Sequence, residues 1–267
     1  MFDFHKDKQR YFNIQKQVTQ EDIIPFIEQA SGTCRNKRVL EIGCAEAGVL
    51  KALIDHGNTG MGIELSIYRY EMAKTFLQKD IQAGRAQIIN KNIYDIDNPA
   101  IELGGLFDLI ILKDVIEHIP HQDIFIPRLK HFLAPNGSIF FAYPPWWMPF
   151  GGHQQICNSK WLRVMPWIHL LPSPIYTAIL KSFSESKQTI DELLEIKSTG
   201  INIEKMYRIL EQNQFEREAE IFWFFNPIYQ FKFGVSKRKV FSPLTHLPYL
   251  RNFYTTAHYV LFEVKQI

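Results

Sequence analysis

The sequence predicts an α/β fold, a doubly wound sheet of seven strands that is mostly parallel with an antiparallel last strand and has helices on both faces. From residue 37 to about residue 143, apolar runs of four to six residues alternate with longer amphipathic stretches. Such short apolar runs are typical of parallel strands buried on both faces. After an interruption the alternation resumes, and the aromatic segment 255–264 supplies the last strand.

Each element is predicted by a local pattern. Residues 10–30 form a leading helix. Ser66 opens the helix after the second strand, and the turn Pro135-Asn136-Gly137 announces the fifth strand. The predicted strands are 38–44, 60–65, 86–90, 107–113, 138–143, 216–225 and 255–264, and the predicted helices are 10–30, 48–55, 66–83, 121–133 and 202–213.

The chain is expected to form one domain, 1–267, because no linker, repeat or low-complexity segment divides it. Its parts are an N-terminal helical segment (1–36), a core (37–143) and two insertions (144–200 and 226–254). The first insertion begins PPWWMPFGG and holds four of the five tryptophans. Four tryptophans are costly to leave in water, so we expect them to pack over the cleft as a lid, either permanently or when ligands bind.

Composition excludes several classes of protein. The 267 residues are 46% hydrophobic and carry a formal charge of +2, which indicates a globular chain and gives no argument for a dedicated nucleic-acid binder. Three scattered cysteines suggest neither a disulfide framework nor a zinc knuckle, and they fit a reducing cytosol. The charged start MFDFHKDKQRYF does not resemble a signal peptide. The apolar window 162–180 is broken by prolines, so no transmembrane segment is expected and the predicted localisation is cytoplasmic.

A turn from strand to helix carries the main chemical signal. In VLEIGCAEAG, residues 39–48, Gly43 and Gly48 keep the outer spacing of a GxGxxG loop, with Ala45 between them. Such a loop lets the backbone and a helix N-terminus approach a ligand closely. Glu41 precedes the first glycine, which a dinucleotide fingerprint does not require. Glu64 lies 23 positions on, at the end of the second strand, where a ribose-binding carboxylate belongs.

These residues make the chain resemble the class I S-adenosylmethionine-dependent methyltransferases, which have a Rossmann-like fold, and among them the ubiquinone-biosynthesis type of O-methyltransferase. The resemblance covers residues 37–143 in register, and the last helix and two strands more loosely. EIGCAEAG matches the loop that wraps the methionine part of the cofactor, GIELS the ribose site, NKNIYDI the adenine site, and FDLIILKDVIEHI the strand exit beside the sulfonium. The resemblance implies S-adenosyl-L-methionine as cofactor, held by Glu41, Gly43, Cys44, Ala45, Gly48, Glu64, Leu65, Asn92, Ile93, Lys113 and Asp114.

Two positions depart from the family's pattern, since Ala45 and Ala47 replace glycines. Alanine carries a Cβ that narrows the approach of a ligand and disfavours a positive φ. Cofactor binding remains the expectation, with a degenerate site as the alternative.

A DxxEH cluster, Asp114, Glu117 and His118, follows the fourth strand. A similar ExxEH cluster is associated with a divalent metal in the ubiquinone-pathway O-methyltransferases. In the wider superfamily this sequence supports the turn, and we therefore expect no metal. His118 and His121 are three residues apart, but they lack the further Cys or His neighbours that a zinc site needs.

The catalytic base is expected in the histidines near the carboxyl edge of the sheet. His153 is the first candidate, as a group that titrates near neutrality after a flexible Gly151-Gly152 turn, and His118 is the second. Tyr143-Pro-Pro-Trp resembles an NPPY motif of amino-group methyltransferases, but it follows the wrong strand.

The predicted function is methylation of a small-molecule acceptor, apolar or anionic, by S-adenosylmethionine, with oxygen ahead of nitrogen as the acceptor atom. The alternatives are N-methylation of RNA or protein, a non-catalytic cofactor-binding scaffold, and a nicotinamide-dependent oxidoreductase, which Glu41 and Ala45 disfavour. The basic loop around residue 237 is either a solvated face or a site for a phosphate-bearing or lipid-headgroup acceptor. Neither the acceptor nor the oligomeric state follows from the sequence.

Overall fold

One eight-stranded sheet organises residues 7–264, the part of the chain that the computed structural model describes. Its strands lie in the order β3-β2-β1-β4-β5-β8-β6-β7. They are β1 (Arg38–Ile42), β2 (Thr59–Ile63), β3 (Ala86–Ile89), β4 (Phe107–Lys113), β5 (Leu133–Tyr143), β6 (Phe215–Phe225), β7 (Arg238–Lys239) and β8 (Ala257–Val264).

The pairing confirms the predicted α/β class. Strands β1 to β5 pair parallel with one another, and β8 runs antiparallel between β5 and β6. The predicted count of seven strands is wrong by one, because β7 pairs antiparallel with β6 at the edge of the sheet. Two residues are too short a segment to show the alternation by which a strand is detected in a sequence.

Helices cover the sheet and fill both insertions. Two predicted helices are shorter in the structure: Leu77 separates α4 from α5, and the helix after His121 ends at Arg128, one residue past the internal Pro127. The α-helices are α1 (Lys8–Val18), α2 (Ile24–Ser31), α3 (Gly48–Asp55), α4 (Ile67–Phe76), α5 (Gln78–Gln82), α6 (Pro99–Glu102), α7 (Gln122–Arg128), α8 (Lys160–Val164), α9 (Ser173–Ser182), α10 (Lys187–Thr199), α11 (Ile203–Gln212), α12 (Ile228–Phe233), α13 (Ser242–Thr245) and α14 (Arg251–Tyr254). A π-helical turn, Thr19–Ile23, joins α1 to α2.

The core lies on both faces of the sheet, because successive strand residues point to opposite sides. In β4, Ile110 and Leu112 join a cluster with α7 and α11, whereas Leu109 and Ile111 join a second cluster with α2 and α3. This double burial explains the continuous apolar run FDLIILK. It also leaves the carboxyl edge of the sheet as the place where polar side chains converge.

The first insertion has a small apolar cluster of its own, which includes Cys157, Leu162, Tyr176 and Leu193. None of the helices between residues 7 and 264 combines the length and apolar character needed to cross a bilayer.

Candidate active site

The loop between β1 and α3 has a tightly turned backbone. Gly43, Ala45 and Ala47 all adopt positive φ, at 69°, 48° and 62°. The backbone N–H groups of Gly43 and Cys44 both donate to the Ile63 carbonyl, at 2.8 and 3.1 Å, and fix the loop to the end of β2. Both alanines therefore occupy a conformation that glycine adopts without strain.

Glu64 joins this loop to the second strand and its helix. One carboxylate oxygen accepts from the Ala45 N–H at 2.8 Å, and the other accepts from the Ser66 N–H at 2.8 Å. The side chain is 6% exposed. Each carboxylate oxygen has a second lone pair, so the group can still accept hydrogen bonds from a ligand.

Asn90, which was not among the predicted site residues, supports the same corner. Its side-chain amide donates to the backbone oxygens of Glu64 and Leu65, at 2.7 and 2.9 Å. The Leu65 side chain is 70% exposed. An amide directly after a strand was the signal that could have indicated this role, since such residues commonly bond nearby backbone.

The predicted adenine-site residues lie next to this corner. The Asn92 side chain accepts from the Tyr94 N–H at 3.1 Å and caps a short 3₁₀ turn, while Ile93 is buried in the core. Asn92 therefore has a structural contact in addition to its predicted place in the site.

Glu41 is buried beneath the loop. Its carboxyl accepts from the Leu50 N–H at 2.9 Å and so satisfies a donor in the first turn of α3. Burial raises the pKa of Glu41 to about 8, against the opposing effects of this hydrogen bond and of Lys113. Cys44 is also buried, and burial raises the pKa of its thiol.

The N-terminal helix explains why residue 48 is glycine. A Cβ at Gly48 would lie 2.5 Å from the Phe12 carbonyl oxygen and 2.8 Å from the Gln15 Cβ, both in α1. The helix is further held by an ion pair of 2.7 Å between Lys8 and Glu46. Gly48 thus allows α1 to cross the start of α3, a requirement that the loop motif alone does not reveal.

Lys113 and Asp114 form an ion pair where β4 ends. Lys113 is buried, and although desolvation opposes its charge, Asp114 and nearby tyrosines raise its pKa. Desolvation also opposes ionisation of Asp114, but Lys113 outweighs it and the pKa of Asp114 is lowered. Tyr11 of α1 lies near both charges, and burial raises its phenol pKa.

Both predicted catalytic histidines lie together with a buried acid, and we call Glu117, His118 and His153 the histidine cluster. The two imidazole rings are 4.9 Å apart, edge to face. His153 Nε2 lies 3.9 Å from Glu117 Oε1. Neither Glu117 oxygen has a hydrogen-bond partner, although the residue is only 3% exposed. Such an unpartnered buried carboxyl is costly.

Burial disfavours charge on all three residues of this cluster. Burial, then Asp114, raises the pKa of Glu117 well above its ordinary value. Burial, then the neighbouring His118, lowers the pKa of His153 to about 3. The expectation that His153 titrates near neutrality is therefore wrong, because no sequence pattern reports that its ring is enclosed. The pKa of His118 is also lowered, mainly by burial.

The cluster also contains atoms that could bind a cation. One ligand atom from each of its three residues lies within 4.8 Å of the others, and Asp114 is outside that set. Ligand bonds of about 2.1 Å around a tetrahedral ion place ligand atoms about 3.4 Å apart, so the groups would have to move closer together. The absence of a metal requirement stays a prediction.

One expectation about the first insertion is wrong, and a second, the lid, is wrong in its permanent form. Gly151 and Gly152 do not form a flexible turn: both are buried, and a Cβ on Gly152 would lie 2.2 Å from the Cβ of His169. Trp146 and Trp147 pack against other rings, but Trp161 and Trp167 are 72% and 42% exposed. The four tryptophans therefore do not form one permanently packed lid, and packing over the cleft when ligands bind stays a prediction.

Three comparisons place this geometry among known proteins. A family model described as a methyltransferase domain matches residues 14–195. The ubiquinone biosynthesis O-methyltransferase of Escherichia coli O127:H6 is 22% identical over 118 residues, 44% of this chain and 47% of that protein. The chain thus spans about half the length of the curated relatives it matches.

Among solved structures, the magnesium protoporphyrin IX methyltransferase of Synechocystis PCC 6803 with bound SAH superposes with a TM-score of 0.53. It is 13% identical, with 99% of this chain and 89% of that chain covered. The plantazolicin methyltransferase BpumL in complex with a triazolic desmethylPZN analog and SAH gives a TM-score of 0.56 at 10% identity, with 98% of this chain and 91% of that chain covered. At such identities the likeness concerns the fold.

Proposed function

The chain belongs to the family of methyltransferase domains, and from that premise we propose that it transfers a methyl group from S-adenosylmethionine to an oxygen atom of a small-molecule acceptor. The observation that carries the proposal is Glu64, a buried carboxylate at the end of β2 that is held against the 43–48 loop by two backbone N–H groups. This arrangement suits a ligand with two neighbouring hydroxyls, such as a ribose.

The other residues of the site fit the same cofactor. S-adenosylmethionine would supply a methyl group on a positively charged sulfur that is a good leaving group. Asp114, ionised beside Lys113 at the end of β4, offers a negative charge where that sulfonium is expected. The loop residues Gly43–Gly48 would hold the methionine part, and Asn92 and Ile93 the adenine.

A hydroxyl acceptor must lose a proton, and we assign that proton to His153. Its low pKa keeps the imidazole neutral, with a free lone pair, at physiological pH. The positive charge that forms on His153 replaces the charge lost from the sulfonium, and Asp114 stabilises it. His118 packs edge to face against the ring, and the Glu117 carboxyl lies 3.9 Å from His153 Nε2. Positioned bases typically add about 10²–10⁴-fold to a rate when their pKa lies near the working pH, and a pKa of about 3 places His153 at the lower end of that range.

The remaining elements of the proposal concern the surroundings of the site. The segments 144–200 and 226–254 are proposed as caps over an apolar or anionic acceptor, within one domain, 1–267. The proposed location is the cytoplasm. The related family names and folds support methyl transfer as such, whereas the choice of oxygen rests on the histidine cluster and on the 22% identical O-methyltransferase relatives.

Calorimetry with S-adenosylhomocysteine tests the cofactor assignment. Glu64→Ala should weaken binding about ten- to a hundredfold, because hydrogen bonds to a charged group contribute roughly 1.5–3 kcal/mol. Glu71→Ala, which removes an exposed carboxylate from the neighbouring α4, is the matched control and should bind normally. An unchanged affinity of Glu64→Ala would contradict the ribose role, and tighter binding of NAD than of S-adenosylhomocysteine would favour an oxidoreductase.

Methyl transfer itself is measured with methyl-labelled cofactor against a panel of hydroxyl-bearing and amine-bearing small molecules, RNA and protein. Labelling of a hydroxyl acceptor is the expected result. Labelling of RNA or protein amines instead would select the N-methyltransferase alternative. Tight cofactor binding with no labelled acceptor would select the non-catalytic scaffold.

A further inference from the structure

Charge is distributed very unevenly along this nearly neutral chain. Residues 144–184 and 221–262 contain no Asp or Glu and carry eight Lys and Arg side chains. The rest of the chain holds the other 22 basic residues and all 28 acidic ones. The two segments, which include most of both insertions, therefore have a formal charge of +8, against −6 for the remainder.

The same two segments expose most of the large apolar side chains at the surface. Of the nineteen exposed large hydrophobic residues among residues 7–264, fourteen lie in them. The most exposed are Trp161 (72%), Phe241 (71%) and Val164 (66%). Soluble monomers rarely expose large contiguous apolar patches unless the patch meets a partner.

Helix α8 shows that this exposure is built into the local sequence. Trp161, Val164 and Met165 are spaced one turn apart and all face solvent, while Leu162 alone is fully buried in the insertion's cluster. The following stretch, 164–180, has no charged Asp, Glu, Lys or Arg side chain. The solvent side of α8 and its C-terminal cap therefore presents the apolar side chains of Trp161, Val164 and Met165. A surface helix usually turns such side chains towards the core.

The two segments meet at Trp147. The Trp167 indole N–H donates to the Trp147 carbonyl at 3.1 Å, and the Trp147 ring lies 5.9 Å from the ring of Tyr249. Trp167 and Tyr249 are themselves 42% and 59% exposed. Trp147 thus links the two segments. We call the exposed side chains of 161–175 and 241–250 the aromatic face, and Arg238 and Lys239 lie exposed next to it in the sequence.

We propose that the aromatic face docks on a bilayer of anionic phospholipid, with the protein bound at the interface and not spanning it. Trp and Tyr are the side chains that favour the membrane–water interface. Aliphatic side chains next to them are stabilised when they are buried between the headgroups and the acyl chains. Basic side chains that stay near the headgroups are attracted to anionic lipid. A nucleic acid would complement the positive charge, but its phosphate backbone would bury little of the exposed apolar surface of Val164 and Ile175.

A second copy of the chain fits less well than a bilayer. Face-to-face pairing through a two-fold axis places each patch against its own copy. It would bring the basic side chains in and beside the face, Arg163, Arg238 and Lys239, towards their own copies. The acidic side chain at the face, Glu204, is already paired with Arg251. Like charges in an interface oppose association. The occupant that satisfies both the apolar and the cationic character is therefore an anionic lipid surface.

Co-sedimentation of the full chain with vesicles tests the proposal, independently of any methyl transfer. The protein should bind vesicles of phosphatidylcholine mixed with an equal part of phosphatidylglycerol, and binding to phosphatidylcholine alone should be much weaker. Trp161→Ser with Phe241→Ser should reduce binding about tenfold or more. Ile101→Ser with Ile124→Ser, at positions 78% and 62% exposed outside the face, is the matched control and should bind normally.

A second pair of variants tests the charge. Arg238→Gln with Lys239→Gln should lower binding to the anionic vesicles by about thirtyfold, because each of the two basic residues near the surface contributes about 1 kcal/mol. Lys79→Gln with Arg208→Gln, exposed basic positions elsewhere, should have little effect. Failure to bind vesicles, equal binding by face and control variants, or a dimer in ultracentrifugation that Trp161→Ser dissociates would each overturn the proposal.

Discussion

Replacing Ala45 by glycine should stabilise this protein, although glycine usually weakens a fold. Ala45 has a φ of 48° and is half-buried, so its methyl group contributes little to packing. Holding an L-residue in the left-handed region costs roughly 1–2 kcal/mol. The additional freedom of glycine in the unfolded chain costs about 0.4–1 kcal/mol. The expected net gain is about 0.5–1 kcal/mol of unfolding free energy.

Ala47 provides an internal comparison, because its backbone is strained in the same way but its methyl group is buried. Its φ is 62°, it is 0% exposed, and it packs in a cluster with Leu50 and Leu77. Removing a buried methyl group costs about 0.8 kcal/mol, so Ala47→Gly should leave stability almost unchanged. The two variants should therefore differ by about 0.8 kcal/mol.

Urea unfolding followed by tryptophan fluorescence measures these differences. Ala178→Gly, at an exposed position within α9, is the control for ordinary helical backbone and should lose about 1 kcal/mol. If Ala45→Gly were as destabilising as Ala178→Gly, the loop would not be strained at residue 45, and this reasoning would be refuted.

Three other predictions follow from the site and its surroundings. Gly48→Ala should weaken the packing of α1, because the new methyl group would collide with the Phe12 carbonyl oxygen. Amide hydrogen exchange in α1 should therefore become faster. Unchanged exchange rates would show that α1 accommodates the methyl group. Burial lowers the pKa of His169 from 6.5 to about 4, so between these values only the unfolded state binds its proton. The contribution of His169 to the unfolding free energy is complete above pH 6.5 and should fall by about 1.4 kcal/mol per pH unit between pH 6.5 and about 4. Urea unfolding at several pH values should show that His169→Gln lacks this contribution to the slope. His153→Ala should lower kcat about 10²-fold for a hydroxyl acceptor without weakening cofactor binding. Treatment with EDTA should leave methyl-transfer activity unchanged. Activity that EDTA abolishes and Mg²⁺ restores would instead assign the histidine cluster as metal ligands.

The sequence by itself predicted the elements whose signals are local. The apolar runs that are buried on both faces gave β1 to β5, and the turn after β1, with Glu41 and Glu64 at strand ends, gave the candidate cofactor corner. The strands are confirmed, and Glu64 meets the loop because parallel strands bring their carboxyl ends to one edge of the sheet. The role of this corner in binding the cofactor stays a prediction. Even the strain at Ala45 and Ala47 was predictable, since the motif calls for glycine in that loop.

Only the tertiary structure decided which residues from distant parts of the chain meet. Glu117 and His153 come together because β4 and β5 are neighbours in the sheet, and Phe12 meets Gly48 because α1 folds back over α3. Neither contact has a signal in the local sequence. Burial of His153 in turn lowers its pKa to about 3, whereas the residue type alone would place that pKa near neutrality. Burial, and with it the pKa of a side chain, depends on long-range packing, and for that reason the chemistry of the histidine cluster had to come from the fold.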